Sequence, residues 1–151
     1  MPQLSLHTPI GDVTVSEEDG RIVSVDWGWG RDQEETGLLR AVRTRLHAYF
    51  DGAADDFTDL PLDPAGSAFQ RRVWAALREI PWGATRTYAD IARAVGSAPR
   101  AVGQANARNP IPILIPCHRV LATGGLGGYS GGEGLATKSW LLALETPAQA
   151  A

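Results

Sequence analysis

"TYADIARAVGSAPRAVGQANAR", residues 87–108, is the stretch that decides how the chain folds. Thr87, with Asp90 three residues on, reads as a helix N-terminus, and a short helix follows over residues 88–95. Gly96 stops it. Ser97-Ala98-Pro99-Arg100 opens a second helix that reaches about Arg108. Two short helices joined by a Gly-containing turn form a helix-turn-helix pattern, although many αα-hairpins share it. The second helix, "RAVGQANAR", holds two arginines and otherwise mostly small residues. Such a low surface either lets another backbone approach closely or packs tightly inside the domain. Sequence alone leaves both open.

Upstream, Ser67-Ala-Phe-Gln70 is a capping box, and Phe69, Val73, Leu77 and Ile80 follow at helical spacing until "PWGAT" ends the run. Downstream, Pro110, Pro112 and Pro116 exclude a helix over 109–116. That segment is expected to be extended, with Ile111, Ile113 and Ile115 facing one way. Seven glycines between Gly124 and Gly134 then predict a pliable loop whose backbone can approach a ligand closely. Leu135 to Glu145 reads as an amphipathic helix through Trp140, Leu141 and Leu144.

The first half has a different rhythm. "LSLHT", "VTVS" and "RIVSVDWGW" alternate and are separated by the turns "PIGD" and "EEDG", which predicts a small antiparallel meander. Trp27-Gly-Trp29-Gly suits strand packing better than stacking on bases. From Thr36 the period changes, and Leu38, Leu39, Val42, Leu46, Tyr49 and Phe50 share a helical face. "DGAADDFTDLPLDPAG" is an acidic, Pro/Gly-rich connection. The expected fold is therefore α+β: a small N-terminal α/β lobe over residues 1–64 and a mostly helical lobe over 65–151.

Charge divides at the same place. Residues 1–64 hold 13 acidic and 5 basic side chains, whereas residues 65–151 hold 4 acidic and 9 basic ones, so the net charge of −3 hides a basic second half. Eight of those nine basic residues are arginines, a composition that suits either phosphate contacts or a solvated face balancing an acidic lobe. Apolar content of 44% is ordinary for a soluble domain. No apolar run approaches the roughly 20 residues that span a bilayer, and no signal peptide is evident. The tail from Thr146 to Ala151 alone suggests disorder. One cysteine forms no internal disulfide and fits a reducing cytoplasm. With that cysteine and only His7, His47 and His118 as histidines, neither a metal site nor a cofactor is expected.

That cysteine, Cys117, is followed directly by His118 and Arg119. A thiol becomes a strong nucleophile on ionising, which a nearby base or positive charge promotes. Free cysteine is also often buried and inert. Adjacent residues on an extended strand point to opposite faces, so a Cys–His contact there needs a bend or a bridging water.

"NPIPILIPCHRV" (109–120), followed by "GYSGG" (128–132) and "KSWLLALE" (138–145), resembles the 6-O-alkylguanine-DNA alkyltransferases. The likeness covers about Phe69 to Glu145 and continues more faintly through the first lobe. It implies a ribonuclease-H-like N-terminal lobe and a winged-helix-like C-terminal lobe. It further implies a monomer that repairs double-stranded DNA by direct reversal, with the helix-turn-helix in the minor groove and the alkylated guanine flipped into a pocket. Cys117 would take the alkyl group from 6-O-methylguanine, and by the same likeness from 4-O-methylthymine, once per chain. His118 would receive the thiol proton through a water, and Glu145 would hold the other side of the imidazole.

Tyr88 would crowd the target phosphate and bond the base, and Arg100 would fill the gap left in the stack. Ala101 and Gly103 would permit close approach, with Arg108 and Arg119 among the DNA contacts. Asn109 would brace the hinge before the active-site segment. Backbone carbonyls at Cys117 and Val120 would accept from the guanine amino group, and Tyr129, Ser130 and Lys138 would close over the base.

Two features depart from the family pattern. The loop after Tyr129 is two residues longer than in some relatives, and Asn106 stands where others carry an apolar residue. Two other readings compete. A non-catalytic lesion sensor of the alkyltransferase-like type would lack the cysteine, and a Cys-His hydrolase would turn over repeatedly.

Overall fold

A computed structural model describes residues 1–146; the disorder expected for the tail falls, beyond Thr146, outside the described residues. Strands β1 (Gln3–Leu6), β2 (Val13–Glu18) and β3 (Arg21–Trp27) form the antiparallel meander that their alternation predicts. Leu4 faces Val15, and Val15 faces Val25. This register gathers Leu4, Leu6, Val13, Val15 and Val25 into the core. Helix α1 (Gly37–Phe50) starts where Thr36 accepts a hydrogen bond from the Leu39 amide. Its buried stripe, Leu39, Val42, Leu46, Tyr49 and Phe50, lies against the sheet side of one continuous core.

The acidic connection is tied down by its own charges. Arg45 pairs with Asp55 at 2.7 Å and Asp59 at 2.8 Å. Arg78 donates to the carbonyls of Phe57, Thr58 and Leu60. Beyond it, α2 (Ala68–Leu77) and α3 (Tyr88–Val95) both open with complete capping boxes, Ser67 with Gln70 and Thr87 with Asp90. Gly96 ends α3 at φ 70°, and α4 (Pro99–Ala107) follows without a side-chain cap. The helix-turn-helix is therefore present.

The reading of tight packing inside the domain holds for the inner face of α4. Inward, Ala105 is small enough for Trp74 of α2 to donate its indole N–H to the Ala105 carbonyl at 2.9 Å. Outward, Arg100, Gln104, Ala107 and Arg108 are exposed, with Ala101 and Gly103 half-buried.

Residues 109–116 depart from expectation. They form a compact, buried turn in which Pro112 and Ile115 bridge each other, not an extended strand. Ile111, Ile113, Leu114 and Ile115 are all buried, so no alternation of faces survives. Ile113 takes φ 75°, a left-handed conformation unfavourable for a β-branched residue. The prolines forbid a helix, and four large apolar side chains leave no face for water, so the segment coils into the core. Asn109 braces the turn at both ends, accepting from the Ile111 amide at 2.9 Å and donating to the Ile115 carbonyl at 2.8 Å.

A two-residue parallel pairing, β4 (Arg86–Thr87) with β5 (Val120–Leu121), then joins the start of α3 to the segment after Cys117. That pairing brings Tyr88 to the cysteine. Helix α5 (Leu135–Glu145) closes the described chain with the bounds its sequence predicts. Among the described residues no helix is long and apolar enough to cross a membrane.

Candidate active site

Cys117 to Arg119 form a single 3₁₀ turn, not a strand. Successive side chains on such a turn fan out by about 120°. The expectation that Cys117 and His118 point to opposite faces therefore fails for a geometric reason. Cys117 lines a cavity, while His118 and Arg119 both reach Glu145 at the end of α5.

Glu145 is a buried hub, 2% exposed. It meets His118 Nε2 at 2.7 Å through Oε2, and accepts from Arg119 Nε at 2.7 Å and Nη2 at 3.0 Å. Tyr49 of α1 also donates its hydroxyl to Oε2. Arg119 spends a further N–H on the Ile80 carbonyl at 2.7 Å and approaches Asp56 at 3.4 Å. Burial alone would raise the Glu145 carboxyl. The bonds from His118 and Arg119 outweigh it and hold the group at about 2.

An ionised Glu145 fixes the imidazole tautomer, because a carboxylate only accepts. His118 Nε2 must carry the hydrogen, which leaves Nδ1 as a lone-pair acceptor. Nδ1 is buried and has no partner among the described residues. Burial pushes the His118 pKa down and Glu145 pushes it up, with a net lowering. Arg119 offsets the charge of Glu145, so the imidazole stays neutral and able to accept a proton. Burial raises the Cys117 thiol to about 11, against opposing pulls from the Asn109 side chain and the Lys138 ammonium. A thiolate here therefore depends on proton transfer to a nearby acceptor, and His118 Nδ1 is suited to that task.

The cavity at Cys117 encloses about 400 Å³ and is lined by Tyr88, Gly103, Asn106, Ala107, Gly128, Tyr129 and Ser130. That volume falls within the range of small-ligand sites. A smaller hollow of about 180 Å³ reaches Cys117 from the sheet side, past Asp26 and Trp27 of β3. Hollows of about 470 and 480 Å³ on the α2–α3 face contain no thiol, imidazole or hydroxyl side chain. Among the described residues no cluster of His, Cys, Asp and Glu could hold a metal ion.

Several expected site residues gather here and several do not. Tyr88, Tyr129, Ser130 and Gly103 share the cavity with Cys117. Ser130 Oγ donates to the Ala107 carbonyl at 3.0 Å, which ties the loop to α4. Val120 and Lys138 are fully buried and do not line the cavity. Lys138 instead donates its ammonium hydrogens to the carbonyls of Val120, Leu126 and Gly128, holding the loop's path. The Cys117 carbonyl already accepts from Asn106 Nδ2 at 3.3 Å.

Arg119 is not a DNA contact. It is 1% exposed and spends its guanidinium on Glu145, Ile80 and Asp56. Arg100 and Arg108 remain exposed on α4. The loop glycines serve close approach, but to aromatic side chains of the protein itself. A Cβ at Gly127 would sit 2.9 Å from the Tyr88 ring, and one at Gly131 would sit 2.7 Å from Trp27. Trp27 thus packs across to the loop, while Trp29 is half exposed and stacks on His7.

Tyr49, Asp56 and Asn106 are the contributors that sequence reasoning missed. Tyr49 looked like one more apolar position of α1, and Asp56 like one more acid of the connection. Asn106 drew notice only as a departure from the family pattern.

The family model "6-O-methylguanine DNA methyltransferase, ribonuclease-like domain" matches residues 4–64, and "6-O-methylguanine DNA methyltransferase, DNA binding domain" matches residues 68–147. A methylated-DNA–protein-cysteine methyltransferase of Mycolicibacterium paratuberculosis is 56% identical, covering 93% of this chain and 90% of its own. The constitutive methylated-DNA–protein-cysteine methyltransferase of Bacillus subtilis is 43% identical over 92% of each. Mycobacterium tuberculosis OGT, solved in complex with DNA, superposes with a TM-score of 0.85 at 38% identity, covering 97% of this chain and 93% of that one.

Proposed function

The chain belongs to the 6-O-methylguanine DNA methyltransferase family, and we propose that Cys117 is the cysteine that accepts the alkyl group. The protein repairs DNA by transferring an alkyl group from methylated DNA to a cysteine of its own chain. The observation that carries the assignment to Cys117 is the Cys117–His118–Glu145 arrangement. It is the chain's sole thiol, it opens on a cavity, and it adjoins an imidazole whose free nitrogen can take a proton.

The substrate is an alkylated base in duplex DNA, 6-O-methylguanine and also 4-O-methylthymine. The damaged nucleotide rotates out of the stack, because Cys117, only 5% exposed, is reached only by an extruded base. The exposed face of α4 enters the minor groove, with Arg100 and Arg108 toward the DNA and Ala101 and Gly103 permitting close approach. The lobes divide near residue 64.

His118 takes the thiol proton, and the thiolate sulfur attacks the alkyl carbon in line. The S–C bond forms as the C–O bond breaks, and guanine leaves as an anion. Tyr88, which burial keeps protonated, and Ser130, once its hydroxyl turns from the Ala107 carbonyl, donate toward the developing charge. The proton taken up by the departing guanine balances the one that left the thiol. The product is a thioether, which has no carbonyl for water to attack, so each chain, acting as a monomer, is spent after one transfer. A chemistry that needs a reduced thiol belongs in a reducing compartment such as the cytoplasm.

Titrating a duplex that carries one 6-O-methylguanine with increasing protein tests this reading. Repair should stop at one lesion per chain and restore guanine in the DNA. Continued repair by substoichiometric protein would contradict it.

A further inference from the structure

Asn106 sits on the buried face of α4 at 5% exposure, and it lines both hollows that meet at Cys117. Its Nδ2 donates to the Cys117 carbonyl. A carbonyl only accepts, so this bond fixes the amide and leaves Oδ1 as the free end. Oδ1 is buried and has no hydrogen-bond partner among the described residues. A buried acceptor without a donor is unfavourable. A native site tolerates such a group where a ligand brings the missing hydrogen.

We infer that Asn106 is a specificity-determining residue, whose Oδ1 accepts one of the two N–H hydrogens of the 2-amino group of the flipped, alkylated guanine and leaves the other for the adjacent Cys117 carbonyl. The inference rests on the substrate reading above. Its chemistry is selective. Alkylation at the 6-oxygen removes the guanine ring N–H, so the 2-amino group is the only N–H donor left on the base. The remaining ring nitrogens and the ether oxygen only accept. A 4-O-alkylated thymine has no N–H at all. An unpaired acceptor in the pocket therefore favours the guanine lesion, since with thymine it would stay buried and unpaired.

Tyr88 is the competing donor. It lines the same cavity, and its hydroxyl is close enough to feel the Asn106 amide. If Tyr88 served Oδ1 throughout the reaction, Asn106 would merely steady that ring and treat all bases alike.

The test is single-turnover transfer from duplexes carrying 6-O-methylguanine or 6-O-methylhypoxanthine, which differ only in the 2-amino group. Wild type is compared with Asn106→Leu, which keeps the branched shape and removes the acceptor. The wild type should prefer guanine, and the guanine-to-hypoxanthine rate ratio should fall roughly three- to tenfold in the variant. General loosening of the pocket would slow both substrates and leave the ratio alone. Asn106→Ala gives the same ratio if leucine strains the helix. An unchanged ratio overturns the inference, including the case in which both rates drop because Asn106 only steadies Tyr88. Absence of wild-type transfer from 6-O-methylguanine is a separate result that overturns the substrate reading and takes the inference with it.

Discussion

The two sides of Cys117 are built differently. Behind the sulfur, Glu145, His118, Arg119 and Tyr49 bond one another until almost every donor and acceptor is used. In front of it, Asn106 Oδ1 and Tyr129 Oη are buried without partners among the described residues, and Arg100 and Arg108 on α4 stand in solvent. Under the proposed mechanism the difference separates two tasks. A base must be held in one tautomer and one orientation before substrate arrives, which calls for saturation. A binding wall must leave its hydrogen-bonding capacity to the ligand. The saturated side also spans both lobes, since Tyr49 comes from α1 and Glu145 from α5, so the base is only as well placed as the lobe contact.

The sharpest way to break the closed side is to remove its free nitrogen. His118→Ala should slow single-turnover transfer by about 10²- to 10⁴-fold, the usual worth of a positioned general base, with DNA affinity little changed. A variant within a few-fold of wild type would assign the proton to another group.

Next in size is the loss of the hub. Glu145→Gln leaves Arg119 buried beside a neutral amide, with only the more distant Asp56 to offset it. Denaturant unfolding should show a loss of about 3–5 kcal/mol. A loss under about 1 kcal/mol would mean that the buried network contributes little.

Acid should expose the same network without mutation. Glu145 is depressed from 4.5 to about 2 in the folded chain, so its stabilisation is full above pH 4.5 and disappears as pH falls toward 2. That contribution is on the order of 3 kcal/mol. His118, held neutral by burial, adds a loss with the same sign that starts below its ordinary value of 6.5. Unfolding free energy measured from pH 7 to pH 3 should thus fall steadily. In Glu145→Gln the portion below pH 4.5 should be smaller.

The open side should respond most gently. Arg100→Ala and Arg108→Ala should each weaken binding to undamaged duplex a few-fold and flatten the dependence of log K on log salt by about 0.9. An unchanged salt slope would remove that arginine from the DNA-facing surface.

Legibility followed the same division. Helix ends were readable because capping is local: Ser67 with Gln70 and Thr87 with Asp90 are each decided within four residues. The meander was readable from period-two alternation. The turn at 109–116 was not, because prolines say what a segment cannot be, and only the surrounding core decides that it coils. The contact of His118 with Glu145 was legible only through the family signature. Arg119 was misread as a DNA contact because an arginine in a basic half resembles its exposed neighbours. Its partner lies 26 residues away, and no local pattern signals such a pairing. Tyr49 lies 96 residues from Glu145, and an apolar helix face conceals a hydroxyl that points inward.

The central claim is that one alkyl group moves from DNA to Cys117 and stays there. Intact-protein mass, measured after incubation with a duplex carrying a single 6-O-methylguanine, tests it most directly in wild type and Cys117→Ser. The wild type should gain one methyl group, mapped to the peptide containing Cys117, and no second one, while the variant should gain none. Tight binding of the lesion-bearing duplex with no change in mass would contradict the account and leave the protein a sensor of damage.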